Sequence, residues 1–242
     1  MNFNIENVSV KIQGRLIVDS VSISITPGEV VGLMGPNGAG KTTTFNLAVG
    51  NLSPDKGDII LNSKSIAKLP LTTRARLGLG YLTQEPSIFR NLTVRENIDL
   101  ALQNSLTSSA LIRNRRESII NEFNLNRFVD NYGYQLSGGE RRRCEIARAL
   151  SVGKKGPKYL LLDEPFAGID PLAVNDLKKL IIKLSKRGVG ILITDHNVRE
   201  TLLITNKSYV LSEGKILAHG SSNELANNPI VKRHYLGDNF QL

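Results

Sequence analysis

The sequence predicts an α/β chain. A parallel sheet carries helices, an antiparallel β unit precedes it, and a block of helices is inserted in its middle. Three observations support this. The first thirty residues alternate apolar and polar. Nearly continuous apolar runs at 29–34, 159–162 and 189–193 have the length and content of strands buried on both faces. From about residue 93 to 152 only helical spacing is found. Strands alternating with helices argue for a parallel sheet.

The elements follow in order. Val8, Val10 and Ile12 share one parity and Val21, Ile23 and Ile25 share another, as in short antiparallel strands with one buried face. Pro27-Gly28 is a turn, 29–34 a buried strand and 41–49 a helix. In the helical middle, Thr93 is an N-cap with Glu96 as its capping-box partner, and apolar residues recur at helical spacing over 111–123. Ser137 and Glu140 form a second box, opening a helix to about residue 150. Gly153-Lys154-Lys155-Gly156-Pro157 is a turn that closes this region. Beyond it come a strand at 159–162, an amphipathic helix at 172–187 ended by Gly188, and a strand at 189–193. A hairpin over 207–219 turns at Glu213-Gly214, and two short helical pieces finish the chain. There is no internal repeat. The expected organisation is one domain over 1–242, its β subdomain and sheet core in 1–86 and 157–242 and its helical insert in 87–156.

Composition narrows the class. The 242 residues hold one large domain or two small ones. With 40% hydrophobic and 22% charged residues, disorder is excluded as the main state. One cysteine, Cys144, allows no intramolecular disulfide and fits a reducing compartment. No apolar run approaches the ~20 residues that span a bilayer. The start, Met1-Asn2-Phe3-Asn4-Ile5-Glu6, has no signal-peptide character. A chain that is soluble by itself and stays where it is made is expected. The net charge of +9 points to an anionic partner or to solvated surface, and charge alone does not separate the two.

The motifs identify the anion. Gly35-Pro36-Asn37-Gly38-Ala39-Gly40-Lys41-Thr42 fits G-x-x-x-x-G-K-[ST] and lies between a buried strand and a helix, the context this phosphate loop requires. Its glycines let backbone N–H groups close around phosphate oxygens, and the helix start adds its free amides and positive dipole end. Lys41 is placed to reach the β- and γ-phosphates and Thr42 to ligate Mg²⁺. Asp163, at the end of the 159–162 strand, supplies the acid such a metal needs. Glu164 beside it is a candidate general base for an attacking water. Leu136-Ser137-Gly138-Gly139-Glu140 is a second glycine-rich helix start, and two half-sites in one chain suggest that two copies complete each other.

In this order the motifs resemble the ATP-binding cassette (ABC) ATPases over essentially the whole chain. The 35–42 loop is similar to Walker A, Gln84 to the Q-loop residue and 136–140 to the LSGGE/Q signature. Asp163-Glu164 is similar to the end of Walker B with its catalytic glutamate, Ala167-Gly168-Ile169-Asp170 to the D-loop, and His196 to the H-switch. The resemblance implies a P-loop NTPase (RecA-like) core with an N-terminal antiparallel β subdomain and a helical signature subdomain. It implies ATP and Mg²⁺, with Gly35, Pro36, Asn37, Gly38, Ala39, Gly40, Lys41, Thr42 and Thr43 around the phosphates and Thr42, Gln84 and Asp163 at the metal. Glu164, His196 and Gln84 would serve catalysis. Ser137, Gly138 and Gly139 would bind the γ-phosphate held by the other copy of a head-to-tail homodimer, and Asp170 would link the two sites. The family usually stacks an aromatic on adenine near the end of the first strand. Ile12 is the match here, which forgoes a stacking contribution of ~0.5–1.5 kcal/mol and implies weak base discrimination.

Within the family, Gln84 to Val94, Gly138 to Arg143, Thr194 to Leu202 and Val231 to Gly237 resemble the ATPases of lipopolysaccharide export. That resemblance implies a homodimer peripheral to the cytoplasmic face of the inner membrane, docked to the coupling helices of two transmembrane permease subunits. Phe89 and Arg90 would line the receiving groove, an apolar anchor beside a cation; the alternative for Phe89 is a plain core position. Two other functions remain open. A branched-chain amino-acid-type importer uses the same chemistry on another cargo. A soluble cassette acting on ribosomes or DNA is disfavoured by a single copy per chain and by only 95 residues between Lys41 and Ser137. No basic stripe interleaved with aromatics is seen, so no nucleic-acid partner is expected. Arg141, Arg142 and Arg143 and the 178–187 helix face read as solvated surface or as proximity to anionic lipid. His219 and His234 read as surface or packing residues.

Overall fold

The computed structural model describes residues 2–153 and 155–242; Met1, and Lys154 of the turn expected at 153–157, lie outside the described residues. The elements run β1 (Phe3–Ile12), β2 (Arg15–Ile25), β3 (Val30–Met34), α1 (Lys41–Val49), β4 (Lys56–Leu61), β5 (Lys64–Ser65), α2 (Leu71–Arg76) and β6 (Leu79–Leu82). They continue α3 (Val94–Gln103), α4 (Ser109–Glu122), α5 (Gly138–Leu150), β7 (Tyr159–Asp163), α6 (Pro171–Lys186), β8 (Gly190–Thr194), α7 (Val198–Leu202), β9 (Lys207–Ser212), β10 (Lys215–Gly220) and α8 (Ser222–Asn227).

Two sheets result. The antiparallel one has the order β2-β1-β4-β5. Its buried face includes Phe3, Ile5, Val8, Val10, Val21, Ile23 and Ile25. Phe3 and Ile5 are odd-numbered and Val8 and Val10 even, because the register shifts between Ile5 and Val8, where Asn7 takes φ 48°. A bulge moves the inward face by one residue. Ile12 is the last residue of β1, beside the hairpin turn, and is 39% exposed, so it is not buried with Val8 and Val10. β4 and β5 have no counterpart in the sequence reading, although Ile59 and Leu61 alternate inward.

The larger sheet has the order β10-β9-β3-β8-β7-β6, parallel except for the β10 edge. β3, β7 and β8 are buried at every position, as strands covered on both faces must be. Period two sends alternate residues to opposite cores. Leu33, Leu161 and Leu192 pack with Phe45 against the antiparallel sheet, whereas Leu160, Leu162, Ile191 and Ile193 pack against Ile98, Ile146 and Ile181 of the helices. The C-terminal ends of β3, β6, β7 and β8 therefore open on one edge, where ligands bind in open α/β sheets.

The helix starts agree with their sequence signals. Thr93 with Glu96 and Ser137 with Glu140 both form reciprocal capping boxes. Past the end of α6, Gly188 sits at φ 90°. Glu213 and Gly214, at φ 47° and 78°, make the tight β9–β10 turn. Arg74 of α2 is fully buried. It donates to the carbonyls of Leu47 and Ala48 at the end of α1 and to those of Ala67 and Leu69, so a cation caps the negative end of that helix. Among the described residues, no helix is long and apolar enough to cross a membrane.

Candidate functional site

β3 feeds a loop that turns three times through glycine, Gly35, Gly38 and Gly40 at φ 145°, 78° and 101°. A Cβ at Gly35 would stand 2.1 Å from the Leu211 carbonyl, so only glycine fits. Lys41, first residue of α1, is buried and folds back onto the loop, its Nζ 2.7 Å from Gly35 O and 3.0 Å from Pro36 O. Burial lowers its pKa, while Glu164 and Asp163 raise it. Burial outweighs the two carboxylates, and the net shift is downward. Thr42 is exposed and Thr43 half-buried on the first turn of α1. Ile12 lies at the β1–β2 hairpin, which borders this loop through Ile17 O, 2.9 Å from a Cβ placed on Gly40.

β7 ends in Asp163, 2% exposed. Its Oδ1 has no hydrogen-bond partner among the described residues, and the Tyr81 hydroxyl donates to its carboxyl group. Burial, then the neighbouring Glu164, pushes its pKa up from 3.8 to about 6, against Arg142 and Lys41. An unsatisfied buried carboxylate oxygen beside a phosphate loop suits a metal cation. Thr42, Gln84 and Asp163 therefore fit Mg²⁺ by their donor chemistry.

Glu164 occupies a left-handed backbone position, φ 50°, uncommon outside glycine and characteristic of strained functional positions. Its N–H donates to Thr194 O at 2.8 Å. Both carboxylate oxygens are engaged: Gln84 Nε2 is 3.0 Å from Oε2 and His196 Nε2 is 2.9 Å from Oε1. Residues 84, 164 and 196, from three strand ends, thus meet at one carboxylate. Asp195, given no role by the sequence reading, is buried and ties two of these ends together. Its Oδ2 accepts from Phe166 N at 2.8 Å and its Oδ1 from Asn197 N at 2.9 Å. Burial raises its pKa. The available signal was a carboxylate between the buried end of β8 and His196.

The Ser137 end of α5 approaches the loop after β7. A Cβ on Gly138 would lie 3.0 Å from Gly168 O, and one on Gly139 2.6 Å from Ala173 Cβ. Both glycines thus have a packing role within the chain. Ser137 is exposed, and Asp170 caps α6, its Oδ1 accepting from Leu172 N and Ala173 N at 3.0 Å each. A cleft of about 290 Å³ brings Gln84, Glu164, Gly138 and Gly168 together.

Phe89 is 47% exposed, which overturns the plain-core alternative. Arg148 lies 4.9 Å over its ring, and buried Asn97 holds its backbone through Phe89 N and Phe89 O. It lines a groove of about 480 Å³ with Tyr81, Ser87, Leu100 and Arg148. Arg90 is exposed beside it. The surface reading of 141–143 fails at Arg142, which is 4% exposed, its guanidinium on backbone carbonyls. On the 178–187 face, Lys178 pairs with Glu200, and Lys183 and Arg187 pair with Glu122. His219 packs edge-on against Tyr209.

A model of the ABC transporter family matches residues 18–167. The chain belongs to the ABC transporter family. The cassette is 50% identical, over 94% of its length and 93% of the relative's, to the lipopolysaccharide export system ATP-binding protein LptB of Acidithiobacillus ferridurans. Its fold is similar to the ADP conformation of the ATP-binding cassette MJ1267 of an ABC transporter, at 27% identity and TM-score 0.87, covering 98% of this chain and 100% of that one. It is also similar to the cassette MJ0796, a dimeric post-hydrolysis state bound to ADP and Pi, at 26% identity and TM-score 0.79, covering 91% of this chain and 98% of that one. The cassette is therefore an ABC-type ATPase, with the P-loop NTPase α/β fold expected from its motifs.

Proposed function

We propose that this chain is the ATP-binding and ATP-hydrolysing subunit that powers lipopolysaccharide extraction from the inner membrane and its export to the outer membrane. The observation that carries the chemistry is Glu164, buried at a strand end with Gln84 and His196 on its two oxygens. The cargo rests on half-identity, over nearly the whole chain, to the ATPase named for that export system.

The site residues act as follows. ATP phosphates seat on the amides of the 35–42 loop and the start of α1. Lys41 exchanges the carbonyls of Gly35 and Pro36 for phosphate oxygens. Thr42, Gln84 and Asp163 hold Mg²⁺, which when bound neutralises charge on the phosphates. Water attacks the γ-phosphorus, the bond from that phosphorus to the β,γ-bridging oxygen breaks to release ADP, and Glu164 accepts the water's proton while Gln84 and His196 fix its carboxylate. His196 also faces the γ-phosphate and stabilises charge developing there. Ser137, Gly138 and Gly139 of a second copy close on the same phosphate in a head-to-tail homodimer, and Asp170 links the two sites; that the similar MJ0796 cassette is dimeric supports the pairing of two copies. Closure moves the coupling helices of two transmembrane permease subunits of the LptF/LptG kind, docked at Phe89 and Arg90. That arrangement places the cassette in the cytoplasm, peripheral to the inner membrane.

Glu164→Gln tests the chemistry. ATP binding should persist, hydrolysis should stop, and a dimer should accumulate in size-exclusion chromatography with ATP. An unaltered hydrolysis rate refutes the assignment. Pull-down from native membranes tests the cargo. Two unlike membrane subunits with β-rich extracytoplasmic domains are expected. A periplasmic amino-acid receptor instead moves the cassette to the importer class.

A further inference from the structure

We propose that Arg142 is a positioning residue for hydrolysis, setting the backbones of Glu164 and Gln84, and that its ion pair with Glu145 ties this setting to the Phe89 segment. The proposal rests on the ATPase reading above and assigns that site a further part. Arg142 lies on α5, one turn past the Ser137 cap. All three of its side-chain nitrogens are engaged. Nη2 donates to Glu164 O at 2.7 Å, Gln84 O at 3.2 Å and Asp163 O at 3.3 Å. Nη1 donates to Thr83 O at 3.0 Å, and Nε to Pro165 O at 3.4 Å. One guanidinium therefore grips the main chain on both sides of the Gln84–Glu164 contact.

This grip has a physical reason. Glu164 sits at φ 50°, a conformation that persists only when its surroundings over-determine it. The Thr194 carbonyl holds its N–H and Arg142 holds its carbonyl, so both flanking peptides are fixed. Only a planar fork with five N–H groups can serve so many acceptors at once; a lysine ammonium is a compact point with three.

Glu145, one turn further along α5 and 2% exposed, supplies the second half. Its Oε2 pairs with Arg142 Nη1 at 3.0 Å. Its Oε1 accepts from Ser87 N at 2.7 Å and Ile88 N at 3.1 Å, the residues that lead into Phe89. Arg142 borders the cleft lined by Gln84 and Glu164, and Glu145 borders the groove lined by Phe89 and Arg148. The buried pair is thus the wall between the two. A shift of segment 87–89 pulls on Glu145, hence on Arg142, hence on Glu164.

The test uses the full chain, with ATP affinity, kcat, KM and thermal unfolding measured on Arg142→Lys, Glu145→Gln and their combination. Arg142→Lys should keep ATP affinity within about threefold and lower kcat at least about tenfold, since misplacement by about 1 Å can cost a hundredfold. Glu145→Gln keeps an acceptor for Ser87 but loses the ion pair; its kcat should fall with KM unchanged. The double variant should be no slower than Arg142→Lys, because residues acting as one unit are not additive. Arg142→Lys at near wild-type kcat overturns the proposal, as does a rate loss matched by equal losses of ATP affinity and melting temperature. Rate losses that multiply in the double variant overturn the tie to the Phe89 segment. If Arg142→Lys does not fold, Glu145→Gln decides alone: lowered kcat upholds the pair and unchanged kcat refutes it. Wild type and Glu164→Gln run in parallel. Absence of wild-type hydrolysis refutes the ATPase reading itself, which keeps the two failures distinguishable.

Discussion

Asp163 should make the nucleotide-free cassette less stable than it could be, and Asp163→Asn should reveal by how much. The carboxyl is 2% exposed, and burial with the adjacent Glu164 raises its pKa from 3.8 to about 6. That displacement corresponds to ~3 kcal/mol. The sign follows from proton binding. Between about 3.8 and 6 the folded chain holds the proton more tightly than the unfolded chain, so stability falls as pH rises through that window. Above about 6 the full deficit applies. At pH near 7.5, without Mg²⁺ or nucleotide, Asp163→Asn should melt higher than wild type, by up to roughly 6–12 °C at 2–4 °C per kcal/mol for a chain of this size. The gap should close towards pH 4, where both side chains are neutral. Comparing the two proteins cancels titrating groups that Asp163 does not touch, including Asp195, whose pKa burial also raises. The assay is thermal unfolding in chelator across pH 4–8, alongside ATP hydrolysis, which the variant should lose. A variant no more stable than wild type at neutral pH, or a gap independent of pH, refutes the reasoning. The confirming result would show a site residue kept at a cost in stability.

Further outcomes follow from the packing. Arg74→Met removes four bonds to the carbonyls of Leu47, Ala48, Ala67 and Leu69. It should cost ~3–5 kcal/mol and about 10 °C of melting temperature; a change under about 2 °C contradicts the capping role. Gly139→Ala puts a methyl 2.6 Å from Ala173 Cβ and should cost ~1–3 kcal/mol in denaturant unfolding. Adding Ala173→Gly should return part of that loss, and a double variant no better than the single one argues against the clash. ATP and GTP affinities, measured by titration calorimetry, should agree within about tenfold, because exposed Ile12 offers no aromatic stack; a wider gap shows that another group reads the base.

Much of this protein is legible without coordinates because its signals are local. A phosphate loop needs glycine where φ is positive and a helix directly after it, and residues 35–42 state both. The boxes Thr93/Glu96 and Ser137/Glu140 are closed within one helical turn, so neighbours in sequence suffice. The buried runs that became β3, β7 and β8 are equally local, needing only length and apolar content. β4 and β6 were missed because short strands gain their stability from neighbours far along the chain: β4 from β1 and β6 from β7. Parity counting buries Ile12 with Val8 and Val10, but Ile12 closes β1 at the hairpin end, where no second layer covers it and it is exposed.

The charge divides along the same line. From sequence, Arg141, Arg142 and Arg143 form one basic run with one explanation, solvated surface or nearby lipid. Folding separates them, because successive residues on a helix point about 100° apart, and Arg142 alone turns inward. There it meets carbonyls from segments roughly sixty and twenty residues away in sequence, Gln84 and Glu164 among them. The sequence by itself determined the family, the phosphate loop and the candidate catalytic residues, because each is written in short-range residue types. Only the tertiary structure decided how Glu164 is held, which arginine holds it, and that Asp195 joins two strand ends. Those contacts depend on bringing distant backbone groups within hydrogen-bond reach, and no pattern along the chain encodes that distance.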